Sequence, residues 1–168
     1  LLMVMLAGVS LPRPEYNKMM KDLIAALKAN GPRIKPKVRL LYTGGHADNP
    51  EFFELLQQND AHVVSDNTGF GTRAADVLIC EDGDPLEAII NYYFEEKPAA
   101  TRQMGTQVER MERLLDLVKQ YKADGVVASR LYMCDLWAFE HFLMRKRLHE
   151  NNVPFLELEV DYTPEGQG

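Results

Sequence analysis

The sequence predicts an α/β fold: a four-stranded parallel sheet with helices on both faces, preceded by extra N-terminal helices. Three observations carry this. Short apolar runs at Val38–Tyr42, His62–Ser65, from Gly125 onward, and at Phe155–Val160 read as strands. Segments with apolar residues at helical spacing separate them. Strand–helix alternation of this kind makes a parallel sheet with right-handed crossovers. The runs from Val38 and Gly125 are the most uniformly apolar and belong at the centre. The expected strand order is therefore 2-1-3-4, which is flavodoxin-like. A helical segment over 1–36 precedes an α/β domain over 37–168.

Composition narrows the function. At 168 residues, 46% hydrophobic and 26% charged, the chain suits one domain with a sizeable core. A net charge of −6 lacks the basic face that nucleic acid requires. Two distant cysteines make no disulfide framework and point to a reducing compartment, the cytoplasm. No apolar run approaches the ~20 residues of a membrane span. The opening Leu1-Leu2-Met3-Val4-Met5-Leu6 stretch has no positively charged n-region and does not read as a signal peptide. It reads as a helix cut from a longer chain, needing a partner surface.

Taken in order, Pro12 and Pro14 break the first helix, and Pro14 suits the first turn of the next. Tyr16, Met19, Met20, Leu23, Ile24 and Leu27 recur at helical spacing until Asn30-Gly31-Pro32. The strand at Val38–Tyr42 runs into Thr43-Gly44-Gly45-His46. A glycine pair there permits close backbone approach, to a ligand or to the following helix. His46 is a minor candidate. Asn49-Pro50 caps a helix carrying Phe52, Phe53, Leu55 and Leu56.

The second strand leads into Asp66-Asn67-Thr68-Gly69-Phe70-Gly71-Thr72-Arg73. The segment up to Asp84 is longer than most loops in compact domains. A short helix over Ala74–Ile79 would interrupt it. Asp66, Thr72 and Arg73 suit an anionic or polar ligand; the alternative is an Asx-capped loop with a surface arginine. Cys80 follows Val77-Leu78-Ile79 and is expected to be buried. Asp84-Pro85-Leu86-Glu87 is a strong helix start. A longer helix spans 103–122, with Val108, Met111, Leu115 and Val118 on one face and Leu114, Leu117 and Tyr121 beside it.

The run from Gly125 reaches Cys134-Asp135 through a few loop residues. A helix follows to about Glu150, with Leu136, Phe139 and Leu143 at core spacing. Arg145-Lys146-Arg147 is expected to be a solvated face. In open α/β sheets, ligands bind beyond the carboxyl ends of strands. A thiol at a helix N-terminus is favoured as thiolate by free N–H groups and the helix dipole. Cys134 therefore sits where chemistry is expected, unless it is an inert buried cysteine. In the last strand, Leu156, Leu158 and Val160 alternate with Glu157 and Glu159, as at a sheet edge.

Several of these pieces, in this order, resemble the C-terminal domain of subunits in the 2-hydroxyacyl-CoA dehydratase and benzoyl-CoA reductase family. They are Arg39-Leu40-Leu41-Tyr42-Thr43-Gly44; Asp66 with Gly71-Thr72-Arg73; Glu81-Asp82-Gly83-Asp84-Pro85-Leu86; Asp124-Gly125-Val126; Cys134-Asp135 with Phe139-Glu140; and Glu159 with Asp161-Tyr162. The resemblance implies a two-domain subunit of a heterodimer. Such a subunit holds a 4Fe-4S cluster through three cysteines, two from an N-terminal domain. Cys134 matches the third. A separate ATP-hydrolysing activator delivers a low-potential electron. In the dehydratases the acyl-CoA thioester carbonyl becomes a ketyl radical that expels the 2-hydroxyl; in the reductases an aromatic ring is reduced. The resemblance would also turn the sheet's carboxyl edge, with Gly44, Gly45, Asp66, Thr72 and Arg73, toward the substrate.

Two of the three cluster cysteines are not in this sequence, and Cys80 is wrongly placed to replace one. The chain therefore reads as the C-terminal part of a longer subunit, inactive alone and binding no cluster alone. A cluster-free structural or partner-binding module on the same fold is the alternative. A third reading, a thiol enzyme using Cys134, lacks a CxxC or an evident Cys–His pair.

Overall fold

The computed structural model describes residues 2–31, 34–45 and 50–161. His46, the Asn49 cap and Tyr162 lie outside them. The chain divides into two compact units, 1–37 and 38–168.

The first unit holds α1 (Leu2–Ser10) and α2 (Arg13–Asn30). Pro12 precedes α2 and Pro14 lies in its first turn, where a missing N–H has no consequence. A Cβ on Gly8 would come 3.1 Å from the Tyr16 ring, so glycine lets the two helices approach. Gly31, at φ 65°, ends α2, and its N–H donates to Leu27 O. Met19, Leu23, Ile24 and Leu27 recur as a helix requires, yet all four are exposed.

The second unit runs β1 (Val38–Gly44), α3 (Pro50–Gln58), β2 (Ala61–Asn67), a 3-10 turn (Thr72–Ala74), α4 (Pro85–Asn91), a π-helical turn (Tyr92–Glu96), α5 (Gln107–Gln120), β3 (Gly125–Leu131), α6 (Asp135–Glu150) and β4 (Phe155–Val160). The four strands form one sheet of order β2-β1-β3-β4, parallel throughout. This is the order expected from the apolar character of β1 and β3. Strands β1 and β2 each run about two residues further than their apolar stretches, taking in Thr43-Gly44 and Asp66-Asn67.

The two sheet faces are covered by different helices. Leu41, Val126 and Ala128 pack with Met111, Leu114, Leu115, Leu117 and Val118 of α5 and with Met144 and Leu148 of α6. On the other face, the Tyr42 ring lies 5.9 and 5.7 Å from the Phe52 and Phe53 rings of α3. Its hydroxyl hydrogen-bonds the Ser129 hydroxyl on β3.

Four features differ from the sequence expectation. Val108 is exposed, because α5 begins only at Gln107 and turns its next residues inward. In α6 the buried residues are Glu140, His141, Met144 and Leu148, whereas Leu136 and Phe139 are exposed. The reason is an ion pair. Arg110 Nε and Nη2 donate to Glu140 Oε1 and Oε2 at 2.7 and 2.8 Å, and both side chains are buried. Arg110 Nη1 also donates to the Thr106 hydroxyl at 2.6 Å and to Gln103 O at 3.0 Å. A bidentate partner makes Glu140 buriable, and its i, i+4 neighbours Met144 and Leu148 follow it inward. Third, Ala74–Ile79 forms no helix beyond the short 3-10 turn. It is too brief to nucleate one, and Asp76 is instead drawn to Arg113. Fourth, Cys80 is exposed in the loop before α4.

His141 is fully buried between Trp137 and Phe155, whose rings lie 5.9 and 6.2 Å away. Its Nδ1 is 3.4 Å from Glu157 Oε1, and neither ring nitrogen has a well-formed hydrogen bond. Burial lowers its pKa, against the pull of Glu157. Burial alone would raise the Glu157 carboxyl, but hydrogen bonds from Arg145 and Arg130 outweigh it and hold it below the usual range. Arg145 is thus paired with Glu157 rather than left wholly to solvent.

Glu140→Gln should destabilise the protein by about 3–5 kcal/mol, because it leaves a buried guanidinium uncompensated. Phe139→Gln, on the exposed side of α6, should stay within about 0.5 kcal/mol. Urea denaturation midpoints of the two variants check this. Acid should act in two stages. His141 and Glu157 both have lowered folded-state pKa values, so each contributes stability that is present above its unfolded value and lost as pH falls. Loss should begin below the usual imidazole value of 6.5 and continue below the carboxylate value of 4.5. Denaturation against pH should show the first stage, and His141→Gln should remove it.

Candidate functional site

The strands are parallel, so their carboxyl ends share one edge of the sheet. Three features gather at the ends of β1, β2 and β3. At β1, Gly44 pairs with Ser129 in register. Gly44 has φ 115°, and a Cβ there would overlap the Ser129 carbonyl oxygen. The Gly45 N–H donates to that same oxygen at 2.9 Å. Glycine at 44 therefore serves the approach of β1 to β3, and the Gly45 N–H is used within the sheet. Beside them, Thr43 and Asn67 pair in register between β1 and β2. Thr43 Oγ1 and Asn67 Oδ1 are buried with no hydrogen-bond partner among the described residues.

At β2, Asp66 is buried and organises the loop that follows. Its Oδ1 accepts from the Thr68 N–H at 2.9 Å and the Thr68 hydroxyl at 2.7 Å. Its Oδ2 accepts from the Thr72 hydroxyl at 2.9 Å, and the Thr72 N–H points at both oxygens from 3.2 and 3.3 Å. Four donors on one carboxylate make a closed turn. Asp66 and Thr72 are hydrogen-bonded to each other within the loop. Gly71 is required because a Cβ there would overlap Asp66 Oδ1.

Arg73 is different. It makes no hydrogen bond or ion pair among the described residues, although it is half-buried. Burial pushes its pKa below the usual arginine value; Arg113 and Arg110 push it further, and Asp66 and Glu140 pull back. Its arginine neighbours each have a dedicated carboxylate: Glu140 for Arg110, Asp76 for Arg113.

At β3, Tyr132 N–H donates to Val160 O at 2.8 Å, keeping β4 alongside to the end. Met133 then turns the chain at φ 60°, and the Cys134 N–H donates back to Leu131 O at 3.0 Å. Cys134 is the N-cap residue of α6, and its carbonyl accepts from Ala138 N–H. Its thiol is free and half-buried, not sealed in the core. Among the described residues, no group of three His, Cys, Asp or Glu side chains could hold a metal ion. No described helix is long and apolar enough to cross a membrane.

The Arg110–Glu140 pair and the residues around Arg73 were not evident in the sequence. Arg110 and Glu140 lie on separate helices, and nothing in their spacing links them. Tyr93 and Lys97 stand four apart after a strong helix start. That spacing was the available signal for their contact, with Lys97 Nζ 4.7 Å from the Tyr93 ring centre.

A parallel sheet of order β2-β1-β3-β4, with a free cysteine at the N-cap of the helix after its third strand, defines an α/β domain. The family model for the 2-hydroxyglutaryl-CoA dehydratase D-component matches residues 1–168, and the chain belongs to that family. The chain is 23% identical over 162 residues to the (R)-phenyllactyl-CoA dehydratase beta subunit of Clostridium sporogenes, covering 94% of this chain and 42% of the relative. It is 26% identical over 143 residues to the putative dehydratase subunit YjiM of Escherichia coli, covering 82% and 36%. It is 23% identical over 160 residues to a benzoyl-CoA reductase subunit from Thauera aromatica, covering 94% and 42%. The chain thus spans about two-fifths of the length of these relatives.

Gly71→Ala should destabilise the second unit by about 1–3 kcal/mol, since its methyl group must displace the Asp66 carboxylate. Gly69→Ala should have a much smaller effect, because its Cβ meets only the far end of the Arg73 side chain, at 3.1 Å. Thermal and urea unfolding of both variants check the contrast.

Proposed function

We propose that this chain is the α/β part of a subunit of an acyl-CoA dehydratase or reductase, and that Cys134 is one thiolate ligand of a 4Fe-4S cluster. The observation that carries the reading is the free, half-exposed Cys134 thiol at the N-cap of α6, on the carboxyl edge, in a chain matched by the family along its length. The residues present fit one corner of a cluster. Cys80 stands in the loop before α4, its thiol 3.7 Å from Asp82 O, and is not a second ligand. The remaining ligands come from outside this chain. When bound, such a cluster supplies single electrons at low potential.

The chain's own residues set the position of that ligand. The Met133 turn and the Cys134 N–H to Leu131 O bond hold the thiol just past β3. The Arg110–Glu140 pair, early in α6, fixes the helix that Cys134 caps. Of the residues expected to meet substrate, Arg73 alone keeps side-chain donors to offer. A second, different subunit pairs with this one in a heterodimer, an ATP-dependent activator supplies the electron, and an acyl-CoA is the substrate.

Cys134→Ala in the full-length protein with its partner should lose cluster iron and the cluster's EPR signal. The far-ultraviolet circular dichroism should be unchanged, since little packing is removed. Retention of about four irons and full turnover by the variant would overturn the assignment. The present chain alone, reconstituted anaerobically, should not hold a stoichiometric cluster.

A further inference from the structure

A cavity of about 270 Å³ opens beside the Asp66 loop, lined in part by Gly69, Arg73, Tyr93, Lys97, Ala100 and Gln103. Two of these residues are cations, and none of the described lining residues is a carboxylate. Arg73 reaches it with all five N–H donors unused among the described residues. Gly69 leaves room for that guanidinium, because a side chain at 69 would begin 3.1 Å from Arg73 Nη2. Lys97 lies over the Tyr93 ring, which anchors its ammonium without neutralising it. The wall that carries Tyr93 is π-helical, closed by the Lys97 N–H to Tyr92 O bond at 2.7 Å. Such turns recur at functional sites.

The charges around the cavity are sorted. Glu140 takes Arg110, Asp76 takes Arg113, and Asp66 is wrapped by its own loop. Arg73 is left as a desolvated cation with no hydrogen-bonded counter-charge. An unpaired, partly buried charge is unfavourable, and a bound anion relieves that penalty. A planar fork beside a point charge suits a multidentate oxyanion. The volume exceeds that of a carboxylate, yet it falls below the roughly 300–1,000 Å³ of sites that enclose a whole cofactor-sized ligand.

We propose that Arg73 and Lys97 form a phosphate-class anion site in this cavity, sized for one phosphate or diphosphate group. Under the acyl-CoA reading above, on which this refinement rests, the group is a phosphate of the coenzyme A moiety. The rest of the coenzyme then extends beyond the cavity.

The test is calorimetric titration of the full chain with inorganic pyrophosphate, coenzyme A and pantetheine, the last lacking the nucleotide phosphates. Binding of pyrophosphate and coenzyme A but not pantetheine, weakened about tenfold or more by Arg73→Gln and less by Arg73→Lys, is the expected result. Added salt should weaken it further. Pyrophosphate binding that depends on Arg73, with no binding of coenzyme A, supports the anion site and assigns it to a free phosphate. No binding of either at millimolar concentration, or binding unchanged by both Arg73→Gln and Lys97→Met, overturns the site. Equal binding of pantetheine and coenzyme A also overturns it. Cys134→Ala should leave the titration unchanged. Loss of the cluster assignment and loss of the anion site are therefore separate outcomes.

Discussion

The buried Arg110–Glu140 pair is the interaction on which the arrangement of the α/β unit depends. It joins α5 to α6 with two parallel charge-assisted hydrogen bonds between side chains that are almost wholly withdrawn from water. Two such groups enter a core only together, because either alone would carry an uncompensated charge. The pair therefore sets the rotation of α6. It brings Met144 and Leu148 onto Leu41, Val126 and Ala128, and leaves Phe139 outside. The remaining Arg110 donors tie down the segment between Ala100 and Thr106, which is also part of the wall near Arg73.

From that constraint the carboxyl edge of the sheet follows. Helix α6 begins next to Cys134, so fixing the helix fixes the thiol. On the neighbouring strand, the contact between Gly44 and Ser129 draws β1 and β3 together at the carboxyl end. On the outer strand, Asp66 closes its own loop and delivers Arg73 to the side of the edge without engaging it. Of the glycine pair after β1, Gly44 makes room for β3 and the Gly45 N–H bonds the Ser129 carbonyl, while Gly71 makes room for the Asp66 carboxylate. The cation left over is Arg73. No neighbouring carboxylate hydrogen-bonds it among the described residues, which is why the surrounding cavity is informative.

Under the proposed function, the placement of Cys134 and of Arg73 separates two tasks. A thiol held by backbone geometry suits a ligand that must stay put while its partners come from elsewhere. An arginine held by exclusion, with its carboxylate neighbours already taken, suits a charged group that comes and goes. Both fit a family whose relatives include a phenyllactyl-CoA dehydratase subunit and a benzoyl-CoA reductase subunit.

The sequence by itself determined the strands, their order and the starts of α2, α4 and α6. Those features depend on local apolar periodicity, on Pro14 and Pro85 in first turns, and on the Asp84 cap, whose carboxylate accepts from the Leu86 and Glu87 N–H groups. It also placed Cys134 at a strand–helix junction, because both flanking elements have strong local patterns. Only the tertiary structure decided which face of α6 is buried. Periodicity favoured Leu136, Phe139 and Leu143. Of these Leu143 does pack against the core, but a partner on another helix made Glu140 the inward residue and left Leu136 and Phe139 exposed. Only the tertiary structure, likewise, separated Asp66 and Thr72 from Arg73. All three are polar residues in one loop. What distinguishes them is which hydrogen bonds are already made, and that is a property of folded geometry rather than of residue type.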